Sequence, residues 1–336
     1  LEIGFIGYAN NVANVQVLSN TTKDFYLNSS VIEGGNVIVT SFLRATSTRR
    51  TPTPVTIIKK DELFRGVSSN LIDALSKVPG VSQISTGPAI SKPIIRGLGY
   101  NRVVVMNDGI RQEGQQWGDE HGIEIDEYNV SRTEVLKVPA SLIYGSDALA
   151  GVINIISNVP VSEGVIKGNV FSNYQTNNRM MGNHFDLAGN KKGFIWGINY
   201  SAKNAGDYKN KYDGSVFNSR FLERNGGGYI GIEKNWGYSQ LSFSNFSQNL
   251  GVVEGDRDAD GRFLMMKDVG GNVEEVVVDA AEEKWFTPRA PMQKIEHTKY
   301  TLDNNIKIGN DRLKATVGLQ RNQRMEFGNV LDLNEK

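Results

Sequence analysis

The chain has 336 residues, and its 37 basic and 37 acidic side chains give a net charge of zero. A protein that holds DNA or RNA along its surface usually carries a basic excess, so no nucleic-acid partner is expected. The absence of cysteine excludes a disulfide framework and a thiolate metal site. No run of about 18 apolar residues occurs, which excludes a membrane-spanning helix. The mean hydropathy of -0.35 suits a soluble all-β protein and a transmembrane β-barrel equally well.

The first fifty residues divide into two parts. Residues 1–30 alternate short apolar runs with polar turns, which predicts two or three strands, too few for an independent core. Because the first eight residues lack the features of a signal peptide, we expect the chain to begin inside a domain. Residues 31–50 are polar in the manner of linkers, except for one β-prone patch, Val37-Ile38-Val39-Thr40.

Residues 51–160 predict a compact α/β domain. Val55-Thr56-Ile57-Ile58 and Val103-Val104-Val105-Met106 are predicted strands, and Asn107-Asp108-Gly109 is a strong turn signal. Between them a helix is predicted to begin after Ser68 or Ser69 and to run to about Lys77. Its apolar face carries Leu71, Ile72 and Leu75. Two more short strands are predicted near 135–136 and 152–156.

Residues 161–336 show repeated alternation that predicts about seven or eight antiparallel strands. Apolar and aromatic side chains lie on one face, for example Phe194, Trp196, Ile198 and Tyr200. Alternation alone leaves a soluble sandwich and a lipid-facing barrel with a wet interior equally open. The long non-alternating stretch 250–296, set against the tight turn predicted at Asn310-Asp311, favours the barrel, whose loops are long on one side only.

Several motifs between residues 94 and 156 share an order and spacing with a known family. They are Ile94-Ile95-Arg96-Gly97-Leu98-Gly99, Arg102-Val103-Val104-Val105-Met106-Asn107-Asp108-Gly109, Glu134-Val135-Leu136-Lys137, Pro139-Ala140-Ser141, Tyr144-Gly145 and Gly151-Val152-Ile153-Asn154-Ile155-Ile156. Together they resemble the plug domain of TonB-dependent outer-membrane receptors. The residues that the resemblance assigns to the structural motif of the plug are Arg96, Gly97, Asp108, Gly109, Glu134, Tyr144 and Gly145.

The resemblance implies a fold class and a domain order. The expected fold is a transmembrane antiparallel β-barrel, only partly present, with an N-terminal α/β plug domain over 51–160 and the first part of the barrel over 161–336. Residues 31–50 are the expected TonB-box linker. Residues 1–30 resemble the tail of an Ig-like, carboxypeptidase-regulatory-like extension found in Bacteroidetes-type receptors. Because family barrels need more strands than 161–336 can supply, we expect the barrel to continue beyond Lys336.

The resemblance also implies a function in the bacterial outer membrane. Such receptors bind an extracellular ligand and import it with energy from the periplasmic TonB complex, here through the β-prone patch Val37-Ile38-Val39-Thr40. The implied cargo is a metal chelate, such as a ferric siderophore or haem, and the expected partners are TonB, the ligand and outer-membrane lipid. A glycan or peptide importer of the same family is the main alternative, and a soluble β-rich binding or adhesion protein is the alternative from another class.

The segment after the Asp108-Gly109 turn contains the candidate ligand contacts. It combines an aromatic surface, carboxylates and an imidazole within a few residues: Gln115, Gln116, Trp117, Asp119, Glu120 and His121. Trp117 offers a flat binding surface, while carboxylate and imidazole groups can ligate metals. The alternative is a loop that only packs against the barrel wall.

Other candidate sites carry weaker signals. Asp256, Asp258 and Asp260 copy the first half of a calcium loop, but Lys267 stands where a bidentate Glu is needed, which favours a solvated acidic loop. His184 and His297 fall in predicted strands and are expected to face water. No catalytic motif is found, so neither an enzyme nor a cofactor is expected. Arg96 and Glu134 are each expected to contact an opposite charge, because buried charges are usually paired.

Overall fold

The computed structural model describes most of the chain after residue 54 and short pieces before it. The described residues are 2–3, 11–13, 15, 19–20, 22–26, 38–39, 46–47, 55–66, 68–114, 118, 120–137, 144–157, 161–279, 281–309 and 311–334. The early pieces contain two pairs of short antiparallel strands. They are β1 Glu2–Ile3, β2 Asn11–Val12, β3 Ile38–Val39 and β4 Thr46–Ser47.

The described residues between 55 and 157 form an α/β unit. Its seven strands are β5 Val55–Lys59, β6 Val81–Gly87, β7 Ile90–Ile95, β8 Val103–Asn107, β9 Ile110–Arg111, β10 Arg132–Leu136 and β11 Gly151–Ile156. Its α-helices are α1 Lys60–Leu63 and α2 Leu71–Leu75, and its 3-10 helices are Tyr100–Arg102 and Glu127–Asn129. Five strands form one sheet in the order β5-β10-β11-β8-β9, and β6 and β7 form a separate hairpin.

Local chemistry explains where these elements begin and end. Asn70 starts α2, because its side-chain oxygen accepts a hydrogen bond from the backbone N–H of Asp73 at 3.0 Å. The helix therefore begins later than Ser68 or Ser69 would place it, and it ends at Leu75 rather than near Lys77. Its predicted apolar face is confirmed, since Leu71, Ile72 and Leu75 are fully buried. Asp108 and Gly109 form the two-residue turn between β8 and β9 with φ values of 52° and 82°, as a type I′ hairpin requires.

The described residues after 161 form a large antiparallel sheet whose seven strands follow one another in chain order, and two small hairpins lie in its connections. The strands, those of the hairpins included, are β12 Ile166–Gln175, β13 Met180–Lys191, β14 Phe194–Ala205, β15 Lys209–Asn210, β16 Gly214–Ser215, β17 Phe221–Lys234, β18 Gly237–Gly251, β19 Leu264–Val269, β20 Asn272–Val277, β21 Met292–Ile308 and β22 Asp311–Phe327. The sequence estimate of about seven or eight barrel strands is confirmed.

The two faces of the large sheet differ as a barrel wall requires. On β14 the side chains of Phe194, Ile198 and Tyr200 are about half exposed, whereas Ser201 and Lys203 on the opposite face are at most 1% exposed. The apolar face is thus turned outward, and the polar face covers the α/β unit. No helix among the described residues is long and apolar enough to cross a membrane.

Connections differ at the two ends of the sheet. Strand pairs are joined tightly at 192–193, at 235–236 and between Ile308 and Asp311, while the opposite end carries the long connections 206–220 and 252–291. Asp311, predicted to lie in the turn, instead belongs to β22, because it already pairs with Ile308. The connection 252–291 is more ordered than its sequence suggests, since it contains the hairpin β19–β20. Outer-membrane barrels keep short turns on the periplasmic side, so the long connections mark the extracellular end.

Candidate functional site at the plug–barrel interface

Three acidic side chains face the barrel wall from the α/β unit: Glu124, Asp126 and Glu127, called the acidic strap here. Ile123 and Ile125 pack into the core of the α/β unit, and alternation along an extended chain then turns Glu124 and Asp126 the other way. Glu124 and Glu127 are each only 3% exposed. The strap therefore brings carboxylates into a dry interface, where each needs a counter-charge or hydrogen bonds.

Glu124 finds its partners on the last two barrel strands. One carboxylate oxygen lies 2.9 Å from the guanidinium of Arg324 on β22, and the other lies 2.8 Å from Nδ1 of His297 on β21. The side-chain amide of Asn322 donates a hydrogen bond to the same carboxylate. One plug residue is thus fastened to two strands of the wall.

Glu127 shares a buried ammonium with a barrel carboxylate. Nζ of Lys203 lies 2.5 Å from Glu127 and 2.9 Å from Glu223, and the side-chain amide of Gln248 donates to Glu223 at 3.0 Å. Burial, partly offset by Lys203, raises the pKa of Glu127. Carboxylate oxygens of Asp126, Glu127 and Glu223 lie within 4.8 Å of one another, a spacing that could hold a metal ion. Lys203 already supplies a positive charge there, so the cluster joins plug to barrel.

Two barrel histidines belong to this interface, which corrects the expectation that they face water. His184 on β13 is 3% exposed and His297 on β21 is 4% exposed. Nδ1 of His184 lies 2.8 Å from the hydroxyl of Ser201, which donates to Asp126 of the acidic strap at 2.5 Å. The inner wall of a filled barrel is polar and buried at once, so a polar strand position does not imply contact with water.

Glycines in the wall allow the plug to approach closely. A Cβ at Gly182 on β13 would lie 2.0 Å from the hydroxyl oxygen of Tyr128, and a Cβ at Gly318 on β22 would lie 2.7 Å from the side chain of Ile110. Both distances are shorter than any carbon contact allows. These two wall positions therefore accept plug side chains only because they lack their own.

A cavity of about 60 Å³ lies between the wall and the plug, and Glu124 and Asp126 of the acidic strap line it. Lys299, 5% exposed, projects from β21 toward the β8–β9 turn. Its Nζ lies 3.1 Å from the carbonyl oxygen of Asn107 and 3.7 Å from the carboxylate of Asp108. Small polar wall residues line the other side, among them Asn199, Ser242 and Ser244. A space of this volume suits a few water molecules.

The tip of the β6–β7 hairpin reaches the extracellular end of the sheet. Ala89 and Ile90 belong to a buried apolar cluster with Met180, Phe221 and Leu250, which lie where β13, β17 and β18 meet the extracellular connections. The apex of the plug is therefore placed where an extracellular ligand would first meet it.

The candidate ligand segment lies beside this apex as far as it is described. Nε2 of His121 lies 3.2 Å from Glu326 near the extracellular end of β22, and Glu120 is exposed. Burial, followed by the nearby charge of Arg324, lowers the pKa of His121, so its imidazole is neutral at pH 7. Nδ1 of the ring is buried. Four other candidates lie outside the described residues: Gln115, Gln116, Trp117 and Asp119.

Of the two charges expected to be paired, only Glu134 meets the expectation. It is fully buried, lies 3.4 Å from Nε of Arg132 and accepts a hydrogen bond from Asn154 at 3.1 Å. Arg96 is exposed at a turn with φ 51°, and no ion pair joins it to any described residue. The expectation for Arg96 is therefore wrong within the described chain, because its motif forms a turn at the surface of the plug.

The remaining motif residues and the linker patch have local roles. Gly97 and Gly145 adopt φ values of 82° and 91°, and Tyr144 packs against a small buried cluster of the plug. In the linker, Ile38 and Val39 pair with Thr46-Ser47 as strand β3. Val37 and Thr40 lie outside the described residues.

The acidic loop of the β18–β21 connection does not assemble a calcium site among the described residues. Asp258 accepts backbone hydrogen bonds from Asp260 and Arg262, at 3.0 and 2.8 Å, and the guanidinium of Arg262 contacts the carboxylates of Asp258 and Asp260. Arg262 thus takes the place that a cation would need, and Asp256 joins no metal-like cluster. The reading as a solvated acidic loop fits this geometry.

Comparisons with known proteins agree with a plug inside a barrel sheet. Residues 47–152 match the family described as TonB-dependent Receptor Plug Domain. The iron-regulated outer membrane virulence protein of Vibrio cholerae is 34% identical over 36% of this chain and 20% of its own length. The hemin receptor of Yersinia enterocolitica is 29% identical over 42% of this chain and 20% of its own length. The aligned region thus spans about a fifth of these relatives.

Solved structures share the fold at low sequence identity. The siderophore receptor PirA from Acinetobacter baumannii has a TM-score of 0.62 and 16% identity, over 82% of this chain and 41% of that one. The Serratia marcescens hemophore receptor HasR, solved with its hemophore HasA and heme, has a TM-score of 0.65 and 14% identity, over 82% of this chain and 38% of that one. Such identities establish the fold alone.

The α/β unit is a plug, and the sheet that packs against it is part of an outer-membrane β-barrel. Residues 47–152 thus carry a TonB-dependent receptor plug domain, and the chain shares its fold with receptors of the bacterial outer membrane. The relatives named here are receptors and outer-membrane proteins rather than enzymes. The assignment to a Bacteroidetes-type receptor and the domain boundaries stay predictions.

We predict that Lys203→Met loosens the plug. The change removes the ammonium that Glu127 and Glu223 share, and removal of one partner from a buried ion pair costs about 3–5 kcal/mol. The urea concentration at which the plug becomes sensitive to protease should fall in the detergent-solubilised receptor. Lys307→Met is the matched control, because Lys307 is exposed near the short-turn end of β21. This variant should leave the urea concentration unchanged. If the plug became sensitive to protease at the same urea concentration in both variants, the assigned role of Lys203 would be wrong.

We also predict that acid weakens the docking of His121 on β22. The docked imidazole has a pKa below its ordinary 6.5, so it binds a proton more weakly than the undocked ring. As the pH falls through the ordinary value, protonation favours the undocked segment. Hydrogen exchange at residues 120–123, corrected for the intrinsic pH effect, should therefore speed up at mildly acidic pH. His121→Asn should abolish this pH dependence. If the pH dependence persisted in that variant, another titratable group would be responsible for it.

Proposed function

We propose that the protein imports an extracellular ligand across the outer membrane through a barrel whose lumen is filled by the plug. The single observation that carries the proposal is the position of the plug apex. Ala89 and Ile90 lie at the extracellular end of the wall, while the acidic strap holds the plug to that wall through buried charges. A ligand that touches the apex is thereby in contact with a plug that must move or unfold before the lumen opens.

Energy for this step has to arrive from the periplasmic side, because the outer membrane has no ATP. We assign its entry point to Val37-Ile38-Val39-Thr40, in the segment that precedes the plug. Ile38 and Val39 already form a short strand with a partner inside the chain, so this backbone is suited to strand pairing. Addition of a strand to the TonB protein would supply affinity through the main chain and would need little side-chain identity.

A metal chelate is the cargo we propose, such as a ferric siderophore or haem. Two relatives are described as iron-regulated and as a hemin receptor, and two structural neighbours as a siderophore receptor and a hemophore receptor. The vitamin B12 transporter BtuB of Vibrio vulnificus is 36% identical over 30% of this chain and 17% of its own length, so similarity over this share of the chain does not define the cargo. A glycan or peptide importer of the same family is the rival.

Growth of a deletion strain on defined iron, haem, zinc and glycan sources tests the function, with wild-type and Val39→Pro genes as complements. Proline removes a backbone N–H donor from the pairing strand, so the variant should bind ligand but fail to restore growth. Ligand binding to cells is measured in parallel. Restoration of growth at the wild-type rate would reject the TonB-box assignment. No growth defect of the deletion strain on any iron or haem source would reject the metal-chelate cargo.

The second functional prediction concerns Trp117. If the segment that follows the β8–β9 hairpin contacts cargo, Trp117→Ala should weaken binding by about 1–3 kcal/mol, roughly the value of burying one large side chain. His121→Ala should matter only for a cargo with an open metal coordination position. Calorimetry on the purified receptor would measure both. Unchanged affinity in a normally folded Trp117 variant would make the segment a packing element and place the ligand contacts elsewhere in the barrel.

A further inference from the structure

We propose that Arg220 is a positioning residue that joins the connections 206–220 and 252–291 into one fixed wall at the extracellular entrance. The surface that this wall presents to a ligand would then already be in place before the ligand binds. The bearing of this wall on uptake rests on the proposed function, whereas its rigidity does not.

Arg220 is fully buried at the point where the connection 206–220 enters β17. Its Nε and Nη2 donate to the two carboxylate oxygens of Asp207 at 3.1 and 2.5 Å, which fastens the two ends of that connection to each other. Its Nη1 donates to the carboxylate of Glu282 at 3.1 Å and to the carbonyl oxygen of Glu282 at 3.2 Å. One guanidinium therefore binds both connections in the planar, bidentate manner that arginine favours.

The charges at this junction balance. Arg289 adds a second bidentate contact to Glu282, at 2.8 and 3.0 Å. Two guanidinium groups, Arg220 and Arg289, thus face two carboxylates, Asp207 and Glu282. Because unpaired buried charge is costly, Arg220 favours the arrangement in which Asp207 and Glu282, one from each connection, both contact it.

Asn218 gives a second, uncharged junction beside Arg220. It is 2% exposed, and its amide nitrogen lies 2.8 to 3.1 Å from the carbonyl oxygens of Val252, Arg289 and Pro291. Its side-chain oxygen accepts from the backbone N–H of Arg289 at 2.9 Å. The beginning and the end of the connection 252–291 are therefore both tied to one residue of the connection 206–220.

The turn between β12 and β13 joins the same wall. Asn177 exchanges two hydrogen bonds with the backbone of Lys209, at 2.8 and 2.9 Å. Arg179 donates to the carbonyl oxygen of Lys284 at 3.3 Å. Phe221, the residue after Arg220, packs in the same apolar cluster as the plug apex, so the wall is continuous with the surface that a ligand would touch.

Spin labels in the middle of the two connections would measure directly how far apart the connections lie and how much that distance varies. The chain has no cysteine, so Tyr212→Cys and Lys267→Cys, both at exposed sites, give one labelled pair. Pulsed electron paramagnetic resonance is recorded on the receptor in isolated outer membranes without any ligand. We expect one narrow distance distribution for the wild-type wall, and a broadened distribution after Arg220→Met, which keeps bulk but removes the guanidinium.

Arg262→Met is the matched control, because Arg262 is exposed and paired only within its own loop. It should leave the distribution narrow. A broad or multiple distribution in the otherwise wild-type receptor would overturn the proposal without any variant, as would an unchanged distribution after Arg220→Met. Since no ligand or transport enters the measurement, a fixed wall in a receptor that fails the growth test would reject the proposed function and keep the wall.

Discussion

The structure depends on one electrostatic constraint: a charge that is buried between packed elements must meet an opposite charge there. The acidic strap meets it by pairing Glu124 with Arg324 and Glu127 with Lys203, and the extracellular junction meets it by pairing Arg220 with Asp207. Removal of one member leaves its partner buried without compensation, which costs far more than the pair contributes. The plug and the extracellular connections therefore have fixed positions against the wall, although the interface between the plug and the wall is polar and contains a cavity.

The apolar pattern predicted most of the fold because the elements of the plug and the barrel differ in period. Short apolar runs gave the plug strands, and alternation gave the barrel strands with the correct outward face, as at Phe194 and Tyr200. Boundaries failed where a single side chain decides them. Asn70 caps α2, and Asp311 belongs to β22 rather than to the last tight turn.

The site was harder to predict because the rule that polar residues face water fails inside a filled barrel. His184 and His297 are polar strand residues and are buried, since the plug takes the place that water would have. The acidic strap could have been found from the alternation of Ile123 and Ile125 with Glu124 and Asp126, which marks an extended segment with one acidic face. The barrel partners could not, because their pairing depends on which strands surround the plug. Arg96 shows the opposite error, since a motif residue expected to be paired proved to be exposed.

The absent side chains at Gly182 and Gly318 have a consequence for how the two parts of the receptor fit together. Tyr128 enters the space over Gly182 on β13, the strand next to one edge of the described sheet. Ile110 enters the space over Gly318 on β22, the strand at the other edge. The two glycines therefore leave two recesses in the wall, each filled by one plug side chain. A plug turned by one strand would bring Tyr128 against Asn173 or Lys203, the partners of Gly182 on the neighbouring strands. A plug raised by two residues would bring both side chains against occupied positions, such as His184 and Gln320. The wall thus specifies the rotation and the height of its plug by what it lacks, and a plug exchanged between relatives would have to carry matching side chains at both points.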